Sequence, residues 1–201
     1  TTADRRMRRA RASLVVLPAC LFLSAPAGTV PPPATFVYKT VDHLGIRADV
    51  HAPAGPGPHP VVVYVHGGSL INGRRQSVEK WPPAQALVAA GVAVVSIDYR
   101  LAPETKLPRI AEDLEDAFRW VRQEGPARFG ADPDRIAVAG SSAGGYLALL
   151  AGHRVQPRPR AVVAEMGYGN LLARRPFAQE APAGTATPPR PYEDRSFITL
   201  A

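Results

Sequence analysis

Ala137-Val138-Ala139-Gly140-Ser141-Ser142-Ala143-Gly144-Gly145-Tyr146 is the stretch on which the reading of this chain turns. Residues 135–139, apolar from 136 onward, read as a short strand buried on both faces. From Ala143 the residues change to helix formers, among them Leu147, Ala148, Leu149, Leu150 and Ala151. Between strand and helix stands Gly140-x-Ser142-x-Gly144, the glycine-serine-glycine spacing of a nucleophile elbow. A strand that reverses sharply into a helix holds its turn residue in strained backbone, and side chains beside it would strike sheet or helix. Glycine at 140 and 144 removes those side chains. Ser142 is therefore expected to stand at the top of the sheet with its hydroxyl exposed. The amide of Ala143 falls at a helix N-terminus, where N–H groups lack intrahelical partners.

Outward from the elbow, the chain alternates strand and helix. Residues 35–41 and 45–51 are β-rich runs around Asp42-His43-Leu44, an expected antiparallel hairpin. Residues 53–60 read as a Pro/Gly loop. Val61-Val62-Val63-Tyr64-Val65 is a continuous apolar run that ends on His66-Gly67-Gly68. A second such run, 92–97, ends on Asp98-Tyr99-Arg100-Leu101-Ala102-Pro103-Glu104. Between them, 84–90 reads as the end of a helix stopped by Gly91. Pro108 opens the clearest helix, with Ile110, Leu114, Ala117, Phe118 and Val121 on one face. Glu112 and Asp113 are expected in its first turn and Gly125 at its close. One more strand is expected at 161–164. Such alternation implies a parallel sheet covered on both faces.

The three strand-end motifs, HGG at 66–68, DYRLAPE at 98–104 and GSSAGG at 140–145, together resemble the α/β-hydrolase fold. Within it they are most similar to the esterase and lipase branch related to hormone-sensitive lipase, in matching order across residues 35–172. The resemblance implies an α/β-hydrolase fold: a mostly parallel, doubly wound sheet with an antiparallel N-terminal hairpin, here without its C-terminal strands. It also implies a serine hydrolase that cleaves a small-molecule carboxylic ester through an acyl-enzyme on Ser142. The amides of Gly67, Gly68 and Ala143 would form the oxyanion hole, which stabilises charge developing on the carbonyl oxygen. No cofactor and no metal are expected. The family often has a third glycine where this chain has Ser69.

Other residues invite functional labels and are read more plainly. His66, before the oxyanion glycines, is read as structural rather than as a base. Asp98, Tyr99 and Arg100 are read as a buried hydrogen-bonded corner, and Glu112 and Asp113 as first-turn helix acids rather than a catalytic pair. Tyr168 and the loop after it are candidates for lining an acyl or alcohol pocket.

The triad of this fold follows the order Ser, then Asp or Glu, then His. Downstream of Ser142 the only histidine is His153, eleven residues along the helix that starts at the elbow. At 1.5 Å per residue it lies about 16 Å away. Asp194 is an acid in the right direction, but no strand precedes it in the Pro-rich tail. The chain is therefore expected to be an inactive N-terminal fragment of an esterase. The alternatives are a non-catalytic hydrolase-fold binding protein and a serine peptidase of the prolyl oligopeptidase type, which fits DYRLAPE less well.

With 201 residues, 46% of them apolar, the chain has material for one domain with a substantial core. The net charge of +7 is unevenly placed: five arginines between Arg5 and Arg11 against Asp4 account for four of the seven. The remainder gives no basis for nucleic-acid binding. Arginines, an apolar run 14–23 and then Ser24-Ala25-Pro26-Ala27 make residues 1–27 a secretory signal peptide cleaved after Ala27. Met7 is a candidate start. The product is expected to be secreted or periplasmic; an uncleaved N-terminal segment is the one membrane contact weighed. Cys20, alone in the sequence, falls in that run and permits no internal disulfide. Residues 28–34 read as a stiff Pro-rich linker, 35–172 as the hydrolase core, and 173–201 as a Pro-rich tail, lid-like or disordered.

Overall fold

Asp42 and His43 adopt left-handed backbone, φ 46° and 70°, and join β1 (Ala34–Val41) to β2 (Leu44–His51) as an antiparallel hairpin. A two-residue turn of that hand matches the natural twist of paired strands. Leu44 thus belongs to the strand. The structure, a computed structural model, describes residues 32–168. Residues 1–27 with the expected signal peptide and Cys20, most of the expected linker, Asp194 and the tail 173–201 lie outside them.

Four parallel strands follow: β3 (His59–Val65), β4 (Ala93–Ile97), β5 (Ala131–Ser141) and β6 (Val162–Glu165). The helices are α1 (Pro83–Ala89), α2 (Leu107–Gln123), α3 (Gly125–Phe129) and α4 (Ala143–Arg154), with a 3-10 turn at Arg75–Lys80. The sheet order is β1-β2-β4-β3-β5-β6, with β2 antiparallel to β4. Alternate residues of the central strands face opposite layers. Val63, Val95 and Val138 pack with Ile110, Leu114, Phe118 and Leu147 of α2 and α4. Tyr64, Val94 and Ala139 pack with Trp81, Ala84 and Val88 around α1. Helices on both faces account for the valine-rich, fully buried strands. The mixed, doubly wound sheet with its antiparallel hairpin is the architecture expected.

Several local expectations are corrected. His59 and Pro60 belong to β3 rather than to the preceding loop, and β5 begins at Ala131, four residues before 135. The two extensions support each other: His59 is in register with Ala131, and its amide donates to Gly130 O at 2.7 Å. Gly125 does not close α2. It opens α3, buried where an added Cβ would come within 2.9 Å of the Ala131 Cβ. The left-handed cap is Gly130, φ 67°, at the end of α3.

Glu112 and Asp113 lie beyond the first turn of α2, which starts at Leu107. Asp113 is fully buried. Its carboxylate takes Arg100 Nη2 at 2.7 Å, Nε at 2.8 Å and backbone amide at 3.0 Å, and Lys39 Nζ at 2.6 Å. A buried carboxylate persists only when its oxygens are paired in this way.

Candidate active site

The register brings the motifs to one edge. Val65 is level with Ile97 and Gly140, and Ser141 with Glu165. The loops after β3, β4 and β5 therefore leave the sheet side by side at its C-terminal end, where ligands bind in open α/β sheets.

Ser142 links β5 to α4 with φ 57° and ψ −121°, a conformation that L residues rarely adopt. A serine before a helix usually caps it with its hydroxyl. Ser142 makes no such bond, because its backbone is far from the extended conformation capping requires. Among the described residues its hydroxyl has no hydrogen-bond partner, and the residue is partly accessible. The backbone holds the turn from both sides: Ser142 N donates to Glu165 O at 2.8 Å, and Tyr146 N to Ser142 O at 3.1 Å. The flanking glycines are sterically required. A Cβ on Gly140 would sit 2.3 Å from Gly144 O, and one on Gly144 would sit 2.0 Å from Val65 O.

Gly67 lies directly against the elbow. A Cβ there would be 2.8 Å from Ser141 O and 3.3 Å from the Ser142 Cβ. The carbonyls around it are tied backward: His66 O accepts from Tyr99 Oη at 2.9 Å, and Gly67 O from His66 Nδ1 at 2.7 Å. Across a trans peptide the next N–H points opposite to the carbonyl. The amides of Gly67 and Gly68 are thus turned away from Tyr99 and the His66 ring, and no backbone carbonyl among the described residues accepts from them. Gly68 has φ 113°, and its carbonyl closes the loop by accepting from Ile71 N and Asn72 N, each at 3.0 Å. Ala143 is the first residue of α4, buried, with its amide at the positive end of the helix. Ser69, in place of a third glycine, accepts φ 55° at an exposed position.

His66 is buried, stacked on Tyr99 at 4.2 Å between ring centroids, and its Nδ1 proton is given to its own loop. Burial pushes its pKa below the usual histidine range, outweighing the Gly67 carbonyl and Asp98. It is a wall of the loop, as expected. The 98–100 corner is hydrogen-bonded as expected, with Tyr99 holding His66 and Arg100 holding Asp113. Asp98 receives Arg75 through its backbone amide at 2.8 Å and Nη1 at 2.7 Å. Asp49 also holds Arg75, at 2.8 Å, and Ser96 Oγ donates to Arg75 O at 2.6 Å. Arg75 pins the downstream end of the glycine loop to the sheet.

His153 is exposed in the last turn of an unbroken α4, away from Ser142. The other histidines are in the hairpin turn (His43), at the end of β2 (His51), at the start of β3 (His59) and at position 66. Tyr168 is half exposed, and the loop after it lies outside the described residues. Sequence reasoning missed Glu165 and Trp81. Glu165 supports Ser142 by its carbonyl and accepts Trp81 Nε1 at 3.2 Å, and Trp81 stacks on Tyr64. Trp81 and Glu165 are 84 residues apart, and nothing local signals the pair.

Comparison with known proteins agrees with this geometry. Carboxylesterase NlhH of Mycobacterium tuberculosis is 49% identical over 91 residues, covering 45% of this chain and 28% of the relative. Esterase LipC of the same organism is 42% identical over 95 residues, covering 47% and 23%. This chain thus matches less than a third of the length of either. A hyperthermophilic esterase from the archaeon Pyrobaculum calidifontis superposes with a TM-score of 0.62 at 33% identity, covering 74% of this chain and 48% of that one. The model of the alpha/beta hydrolase fold matches residues 62–193, from inside β3 past the elbow. With the elbow, the glycine loop and the strand order already in place, that match establishes that the chain belongs to the alpha/beta hydrolase fold family, among esterase relatives.

Proposed function

We propose that this chain carries the nucleophile half of a serine carboxylesterase site. Ser142 Oγ attacks the carbonyl carbon of a small-molecule ester, and the amides of Gly67, Gly68 and Ala143 hold the resulting oxyanion. Collapse expels the alcohol and leaves an acyl group on Ser142, which water then removes. The observation that carries the reading is the backbone of Ser142, left-handed and uncapped, with Gly67 packed against it. Each oxyanion donor in such a site is worth about 10²–10³ in kcat.

A serine hydroxyl is a poor nucleophile unless an adjacent base takes its proton. None of the five histidines is bonded to Ser142 among the described residues, and His153 is held about 16 Å along the helix. Residues 1–201 alone are therefore proposed not to turn over esters. The same observation favours a second reading, a hydrolase-fold binding protein that has no chemistry in any context. The two separate in a chimera of residues 1–168 followed by the remaining C-terminal part of NlhH. The esterase reading expects hydrolysis of short-chain p-nitrophenyl esters, lost in Ser142→Ala. A folded chimera with no turnover favours the binding protein, and turnover that survives Ser142→Ala refutes the nucleophile.

A further inference from the structure

At the opposite end of β5 a cavity of about 420 Å³ opens between the last turn of α2, the start of β5 and the connection from α4 to β6. Arg122, Arg158 and Arg160 line it together with Asp134. Asp134 stands near the start of β5 and Ser142 just past its end at Ser141, so the cavity and the elbow lie at opposite ends of the strand.

The arginines are what distinguish it. Of the nine other arginines among the described residues, seven are paired with carboxylates, and the two that are not, Arg47 and Arg74, stand apart at exposed positions. Arg122, Arg158 and Arg160 form no ion pair there, although Asp134 lies in the same wall. The heads of Arg122 and Arg160 are positioned by backbone instead. Arg122 Nη2 donates to Pro157 O at 2.5 Å, and its guanidinium lies over the Phe118 ring at 5.7 Å. Arg160 Nε donates to Asp134 O at 2.9 Å. A guanidinium has five N–H donors, so most remain unused. Burial also lowers the pKa of Arg122, only partly offset by Asp134, the mark of a charge short of solvent and of a counter-ion. Pro133, Pro157 and Pro159 restrict the backbone of the walls, which reduces the ordering cost of binding.

We propose that this cavity binds a phosphate monoester, its dianion held by Arg122, Arg158 and Arg160. Three guanidiniums and one carboxylate leave the site with two positive charges, matching a dianion. Planar guanidinium forks pair bidentately with phosphate oxygens. The volume exceeds that of inorganic phosphate, and the apolar wall of Ile136 and the prolines takes the organic group. A free phosphate ester and the headgroup of phosphatidic acid share this chemistry.

The test uses the full chain and inorganic phosphate, followed by calorimetric titration and by the shift in melting temperature at constant ionic strength, with chloride as reference. Phosphate is expected to bind saturably and raise the melting temperature, as any ligand of the folded state does. Arg158→Gln combined with Arg160→Gln should weaken it at least about tenfold, the loss of two charge-assisted contacts. Both side chains are exposed, so the variant should fold with unchanged basal stability; Arg158→Gln alone, whose side chain makes no protein hydrogen bond among the described residues, is the second variant. Sedimentation with vesicles containing phosphatidic acid, against phosphatidylcholine, separates the sources: binding lost in the double variant assigns a headgroup, and phosphate binding without it a soluble ester. Phosphate acting no differently from chloride, together with vesicle binding that is absent or unaffected by the double variant, overturns the proposal. Wild-type phosphate affinity in the double variant overturns it equally.

Discussion

Replacing Gly144 by alanine tests the packing that creates the elbow. An added Cβ would lie 2.0 Å from Val65 O, 2.6 Å from His66 O and 2.8 Å from His66 C, all backbone atoms. Ordinary contact begins at 3.4 Å, so the first turn of α4 must retreat from the end of β3 by about 1.4 Å. Neither neighbour can give way: Val65 is in the ladder between β4 and β5, and His66 O holds Tyr99 Oη. Overpacking costs about 1–3 kcal/mol and more when rigid backbone is struck. Alanine regains about 1 kcal/mol of helix propensity, which leaves a net loss of up to about 2 kcal/mol. Gly152→Ala is the internal control. Its Cβ would meet only Val162 Cγ2, at 3.0 Å, the movable end of an exposed side chain, so propensity should prevail and stabilise by up to about 1 kcal/mol. Urea unfolding followed by fluorescence of the buried Trp81 and Trp120 reads both variants. A midpoint for Gly144→Ala equal to or above that of Gly152→Ala would refute the steric account. In an active chimera the same variant should lose about 10² in kcat, since ångström displacements of reacting groups cost that much.

Three further outcomes are expected. Asp113→Ala strands Arg100 beside an empty pocket and leaves Lys39 with Asp116, and should cost about 3 kcal/mol in the same urea assay; a loss under about 1 kcal/mol contradicts the network. Burial pulls both His66 and His51 below the usual histidine range. The unfolded chain gains protons near pH 6.5 while the folded one stays neutral, so stability is whole above about pH 6.5 and declines as pH falls. Melting temperatures from pH 7.5 to 5 should show the decline, with a shallower slope in His51→Gln; an unchanged slope removes His51 from the account. Residues 1–27 are proposed as an export signal: the intact mass of the exported product should begin at Gly28, and a cytoplasmic product retaining Arg5–Arg11 opposes that proposal.

Motifs that end strands were legible because each couples a buried apolar run to a turn that only certain residues permit. Gly140-x-Ser142-x-Gly144 announced the elbow, and the structure explains the glycines by contacts of 2.0 to 2.8 Å with neighbouring backbone. The face of α2 from Ile110 to Val121 followed from its spacing, and its residues are buried. What escaped detection depends on partners distant in sequence. Asp113 looks like an ordinary helix acid until Lys39, 74 residues earlier, and Arg100 close on it. The start of β5 was hidden because Asp132-Pro133-Asp134 interrupts its apolar pattern, yet Ala131 pairs with His59 and the strand runs on to Ser141 past a shift in register. Gly125 resembles a helix stop, but α3 uses the space its missing side chain leaves. Glu165 and Trp81 meet only through the order of strands in the sheet.

The most direct test of the central proposal, a serine poised at the elbow with no histidine beside it among the described residues, is labelling by a fluorophosphonate probe with the modified residue located by peptide mass spectrometry. The account predicts no labelling of residues 1–201 at neutral pH, rapid labelling of Ser142 in the chimera that adds the downstream half of NlhH, and none at the adjacent Ser141. Rapid labelling of Ser142 in the chain alone, abolished by His153→Ala, would contradict it, because His153 stands on α4 about 16 Å from the elbow.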